Sequence, residues 1–122
     1  MDCYKSCTSR RHGHPLEAIR MVFLVFDVDG TLEISNGPIP IERLRKLKKF
    51  GVNILIVGNY GKIVQHNLQH EFPNGNPKGL PKHEALKNIK GDHLCIYVGD
   101  TEADRQAARR AGWCFIWAGD FK

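Results

Sequence analysis

Four short apolar runs, separated by amphipathic stretches, constrain this 122-residue chain more than any other feature. The runs are "MVFLVF" (21–26), "VNILIV" (52–57), "LCIYV" (94–98) and "CFIWA" (114–118). Each is apolar at successive rather than alternate positions, the pattern of a strand covered on both faces. Between the runs, apolar residues recur at helical spacing: Ile41, Leu44, Leu47 and Phe50 before Gly51; Val64, Leu68 and Phe72; Ala85, Leu86 and Ile89; Ala103, Ala107 and Ala111 before Gly112. Strand–helix alternation with short connections predicts an α/β fold, a three-layer parallel sheet with helices on both faces. "PNGNPKGLP" (73–81) reads as a loop where a domain of this kind often has a further strand. Residues 21–122 are expected to form one core. Residues 1–20, with little that packs, are expected to be an N-terminal extension.

Composition narrows the functional classes. No run of 18 apolar residues occurs, so no membrane span is expected. The N-terminus lacks the apolar segment of a secretory signal, so a cytoplasmic location is expected. The net charge of +5 favours anionic substrates and is compatible with nucleic acid. No aromatic-studded nucleic-acid motif accompanies it. Arg43, Arg45, Lys46, Lys48 and Lys49, with Arg105, Arg109 and Arg110, read as the wet faces of helices or as a basic surface that attracts an anionic macromolecule. "GNYGK" and "GLPK" do not make a phosphate-binding P-loop, which argues against a nucleotide triphosphatase. Cys95 and Cys114 lie in apolar runs and are expected to be buried free thiols. Cys3 and Cys7, with His12 and His14, match no zinc spacing.

The first apolar run ends in "FDVDGTL", which sets Asp27 and Asp29 one residue apart at the end of a strand, with Gly30 to bend the chain. Ligands of open α/β sheets bind at that carboxyl edge. Two neighbouring carboxylates repel, and a cation such as Mg²⁺, which takes carboxylate and phosphate oxygens, relieves the repulsion. An Asp can attack phosphorus, and a second acid can protonate the leaving oxygen and then activate water. The blander alternative is an Asx turn that caps the strand. "YVGDTEAD" repeats the strand–Gly–Asp pattern at Asp100, with Asp104 one helical turn on; Thr101 and Asp104 also read as a helix cap.

"FDVDGTL", "YVGDTEAD" and the Lys at the head of "KHEALKNI" resemble the first, fourth and third motifs of the haloacid dehalogenase-like (HAD) superfamily, chiefly phosphatases. The resemblance covers about residues 21–120. It implies a Rossmann-like core, Mg²⁺, a nucleophile at Asp27, a general acid/base at Asp29 that also lends a backbone carbonyl to the metal, Asp100 as metal ligand and Asp104 as ligand or support. It implies Lys82 as the phosphate-binding lysine, with Lys78 as the alternative. It also implies phosphate binding at Gly30 and Thr31. The family's second motif ends in Ser or Thr; here Gly58 stands at that position with Asn59 after it, leaving a backbone N–H and an amide to bind phosphate. The implied activity is hydrolysis of a phosphate monoester through an aspartyl-phosphate; a weak or inactive module that binds a phosphorylated or acidic partner is the second reading. The segments between the motifs hold no cap domain, and "EISNGPIP" (33–40) is only flap-sized. An open site is expected, suited to a small or macromolecular phosphorylated substrate or to coverage by a second copy of the chain.

Overall fold

The computed structural model describes residues 21–121 apart from 91–92. The expected extension, residues 1–20, with its Cys and His residues, lies outside the described residues.

Four strands form one parallel sheet: β1 (Val22–Phe26), β2 (Asn53–Ile56), β3 (Leu94–Gly99) and β4 (Cys114–Trp117), in the order β2-β1-β3-β4. Phe26 of β1 lies beside Ile56 of β2 and Val98 of β3, so β3 runs one residue past β1 at the carboxyl edge. The helices are α1 (Ile41–Lys49), α2 (Tyr60–Gln65), α3 (Lys82–Lys90) and α4 (Glu102–Ala111). Successive strand side chains face opposite ways. Leu24 and Phe26 accordingly pack with Ile41, Leu44 and Ile63 of α1 and α2. Val25 and Tyr97 pack with Leu86, Ala107 and Ala108 of α3 and α4. The sheet thus separates two apolar cores, which is why its strands read as continuous apolar runs.

Several helix expectations are corrected in detail. The 61–72 stretch is not one helix with a stripe of Val64, Leu68 and Phe72. The helix ends at Gln65, Asn67 takes a left-handed turn at φ 62°, and Val64 is half exposed, while Ile63 joins Leu68 and Phe72 in the core. In α1 the stripe stops short of Phe50, which is 85% exposed. In α4 Ala103 is exposed, and Ala108 is buried with Ala107 and Ala111. Cys95 is buried and outside any disulfide, as expected, but Cys114, also buried, is disulfide-bonded rather than a thiol. The 73–81 loop keeps a remnant of a fifth strand: Asn74 makes a single parallel bridge to Ile56, framed by Ile56 N–H to Pro73 O at 3.0 Å and Gly75 N–H to Ile56 O at 2.7 Å. Among the described residues no helix is long and apolar enough to cross a membrane.

The flap is tied to the core. Ile39 N–H donates to Thr31 O at 3.1 Å, and the Glu33 carboxylate accepts from Ile41 N–H at 2.8 Å, capping the first turn of α1. Gly37 passes so close to Thr31 that a Cβ would sit 2.1 Å from the Thr31 carbonyl carbon. The short segment therefore folds down beside the sheet edge instead of forming a cap.

Candidate active site

The chain turns back on itself after β1: β2 lies on one side of it and β3 on the other. The crevice at the carboxyl ends of β1 and β3 is where an open α/β sheet receives its ligand. Asp27 emerges from β1, Asp100 from β3, and Asp104 from the first turn of α4. One carboxylate oxygen of each lies within 4.8 Å of the others. The cavity above them, about 530 Å³, is also lined by Asp29, Gly30, Gly58, Asn59, Lys82 and Thr101.

Lys82, at the start of α3, joins the cluster. Its Nζ donates to Asp27 Oδ1 at 2.9 Å and to Asp104 Oδ1 at 2.7 Å. Lys78 is exposed and lines a separate cavity with Asn76 and Leu80, so the structure puts Lys82, not Lys78, among the acids. Burial pushes the Asp27 carboxyl up to about 6, aided by the Asp104 charge and opposed by Lys82. Burial also pushes Asp104 upward, but the Lys82 ammonium and the Thr101 hydrogen bond outweigh it and hold Asp104 below the usual carboxylate range. Burial pulls Lys82 down, while the hydrogen bond to Asp104 and the two negative charges raise it above the ordinary lysine value.

Asp104 is 1% exposed and thoroughly bonded. Its Oδ2 accepts from the backbone N–H of Asp100 (3.2 Å) and Thr101 (3.3 Å) and from the Thr101 hydroxyl (3.0 Å); the Thr101 hydroxyl oxygen in turn accepts from Asp104 N–H. This is a reciprocal helix cap. Oδ1 also accepts from the buried Tyr97 hydroxyl at 3.1 Å. Asp104 is thus both helix cap and lysine anchor, so its two sequence readings hold together. Among the described residues none donates a hydrogen bond to the Asp100 carboxylate, and it is exposed at the cavity.

Asp29 faces another way. Its Oδ1 accepts from the Ser35 hydroxyl of the flap (2.5 Å) and from the Asn59 amide (3.1 Å). These hydrogen bonds hold its carboxyl below the usual range. Its side chain stands apart from the three clustered carboxylates. Thr31 is fully buried, does not line the cavity, and its hydroxyl has no hydrogen-bond partner among the described residues.

Three glycines clear space for three acids. A Cβ on Gly30 would lie 2.0 Å from Asp100 Oδ2, one on Gly58 2.5 Å from Asp27 Oδ1, and one on Gly99 2.6 Å from Asp104 Cβ. Gly58 also has φ +152°. Position 58 therefore has no room for a hydroxyl-bearing side chain beside Asp27 in this backbone. Sequence reasoning missed Ser35, Tyr97 and this role of Gly58. Ser35 sits in a loop, and Tyr97 reads as one more large residue in an apolar run.

The site's fit to a divalent cation rests on these observations. Three carboxylates against one ammonium leave two negative charges, and a carboxylate without a protein donor faces the space that Gly30 keeps open. All-oxygen donors of this kind suit Mg²⁺.

No family model matches the chain, and no curated protein matches it. Among solved structures it is similar to the NMR structure of the core domain of a protein from Streptococcus pneumoniae TIGR4 named a "putative phosphoglycolate phosphatase". The two share 19% identity with a TM-score of 0.59, over 81% of this chain and 80% of that one. At that identity the likeness bears on the fold, and it agrees with the Rossmann-like α/β architecture described above.

Proposed function

We propose that the protein is a HAD-like phosphatase that hydrolyses a phosphate monoester through an aspartyl-phosphate on Asp27. The observation that carries the reading is the ion pair of Lys82 with two buried acids, Asp27 and Asp104, beside the exposed Asp100 at one rim of the sheet. An ordinary surface lysine gains little from such a pair, whereas a phosphoryl-transfer site needs fixed positive charge next to its nucleophile. The phosphatase name of the Streptococcus pneumoniae neighbour agrees with it.

Asp27 and Asp100 would hold Mg²⁺, with Asp104 behind them and the Asp29 carbonyl completing the set as the family resemblance implies. Bound there, the cation supplies positive charge to the phosphoryl oxygens and offsets the repulsion among the acids. Asp27 attacks phosphorus as the bond to the leaving oxygen breaks, and Asp29 delivers a proton to that oxygen. Asp29 then takes a proton from water, which attacks the phospho-aspartate, releasing phosphate and restoring Asp27. Lys82 keeps its charge beside the transferring group, because Asp104 holds it in place. The Ser35 and Asn59 hydrogen bonds aim Asp29 from outside the acid cluster. Among the described residues no cap covers the cavity, which suits small and macromolecular phosphate esters alike.

A second reading, a weak or inactive module that binds phosphorylated partners, is favoured by one feature: Gly58 supplies no hydroxyl, and the Asn59 amide is committed to Asp29.

Phosphate release from an aryl phosphate with and without Mg²⁺ tests the proposal. Turnover should require Mg²⁺ and fall by a factor of about a thousand or more in Asp27→Asn, which loses the nucleophile. Undiminished turnover in that variant would end the Asp27 mechanism. Binding of Mg²⁺ and phosphate without turnover would select the second reading.

A further inference from the structure

Lys82 is a wall of two cavities. One is the acid-lined cleft. The other, about 370 Å³, runs between the start of α3 and one face of α4, and is lined by Lys82, His83, Ala103, Gln106, Ala107 and Arg110. Among the described residues no carboxylate lines this groove. Ala103, Ala107 and Arg110 follow one another at helical spacing, so they form a stripe along α4 with Gln106 beside it. The two alanines leave the groove shallow and unobstructed, and the polar heads gather at Lys82–His83 and at Arg110.

Among the described residues the charges beside the groove are already partnered, apart from Arg110. Lys82 is shared by Asp27 and Asp104. Glu102 is paired with Arg105 at 3.1 Å and also accepts from Gln106 Nε2 at 3.3 Å. His83 Nε2 lies 3.9 Å from the Glu84 carboxylate. Arg110 is exposed, and no ion pair engages it among the described residues. A guanidinium with no ion pair among the described residues, at the far end of a groove that they line without an acid, suits an anion, with which it can form two parallel hydrogen bonds.

We propose that this groove is a second anion subsite, and that the phosphate monoester processed at Asp27 carries a second phosphate or carboxylate that reaches Arg110. Arg110 lies six positions after Asp104, a rise of roughly 9 Å at 1.5 Å per residue, which sets the separation of the two anionic ends along α4. Lys82 stands between them and faces both. The assignment of chemistry at Asp27 rests on the reading in the preceding section; the subsite itself does not.

Hexyl phosphate, hexane-1,6-diol bisphosphate and 6-phosphohexanoate are suitable probes, since they share a chain and differ only at its far end. The bisphosphate or the carboxylate should show kcat/KM about tenfold above hexyl phosphate, the effect of one hydrogen bond to a charged group. Arg110→Gln should erase that advantage and leave hexyl phosphate hydrolysis unchanged. The better of the two probes identifies the second anion. Equal kcat/KM for all three, or a loss in Arg110→Gln that is the same for all three, overturns the subsite. Calorimetric binding of the same compounds separates this claim from the phosphatase reading. Preferential binding of a two-anion probe that is lost in Arg110→Gln, without turnover, upholds the subsite while the hydrolytic mechanism falls. Equal binding of all three overturns the subsite whatever the turnover.

Discussion

Gly58 changes meaning between sequence and structure. By residue type it is a missing hydroxyl; in space it is the gap that admits the Asp27 carboxylate. A Gly58→Ser substitution, which would restore the hydroxyl of the family pattern, should therefore harm the protein. Its Cβ would meet Asp27 Oδ1 at 2.5 Å in a backbone conformation of φ +152°. The expected loss is about 1–3 kcal/mol, visible as a lower Tm, and unchanged stability would contradict the steric account. Asp27 itself gives a pH signature. Its folded pKa, about 6 against an ordinary 3.8, means that the folded chain holds this proton more tightly than the unfolded chain. The contribution of Asp27 to stability then declines as pH rises through the window between those values and stays low above it. In metal-free protein, Asp27→Asn should gain in Tm relative to the parent from pH 4 to pH 7.5; a constant or shrinking difference in thermal melts would refute the assignment.

Among the secondary-structure elements, α4 shows how folding and site geometry share residues. Thr101 caps the helix by accepting from Asp104 N–H, and the same pair of side chains fixes the carboxylate that anchors Lys82. Thr101→Ala should cost about 1 kcal/mol, the usual value of a cap, and lower turnover by loosening Asp104. A variant that melts lower but retains full kcat would separate the cap from the chemistry. The local signals explain what could be read without coordinates. "FDVDG" and "YVGD" announce strand ends and acids because strand, bend and carboxylate are adjacent in sequence, and the expected helical stripe of Ala85, Leu86 and Ile89 lies on α3. The α2 region could not be read from periodicity, since the left-handed Asn67 interrupts the helix and shifts burial from Val64 to Ile63. Ser35 and Tyr97 were hidden for another reason: each acts on a carboxylate supplied by a different element, a relation that spacing does not encode.

The chain as assembled places an acidic site on a protein of net charge +5. The two apolar cores, one on each face of the sheet, fix β1 against β3 and so hold Asp27 beside Asp100. This arrangement needs only the four strands and their helices. The flap and the vestigial bridge at Asn74 add neither a cap nor a full strand, so no cap covers the crevice among the described residues. The account turns on covalent participation of Asp27, and acid-quenched reactions with a radiolabelled phosphate monoester address that most directly. Label should accumulate on the protein, map to the peptide containing Asp27, and vanish in Asp27→Asn. Turnover with no labelled protein, or label that persists in Asp27→Asn, would contradict the account.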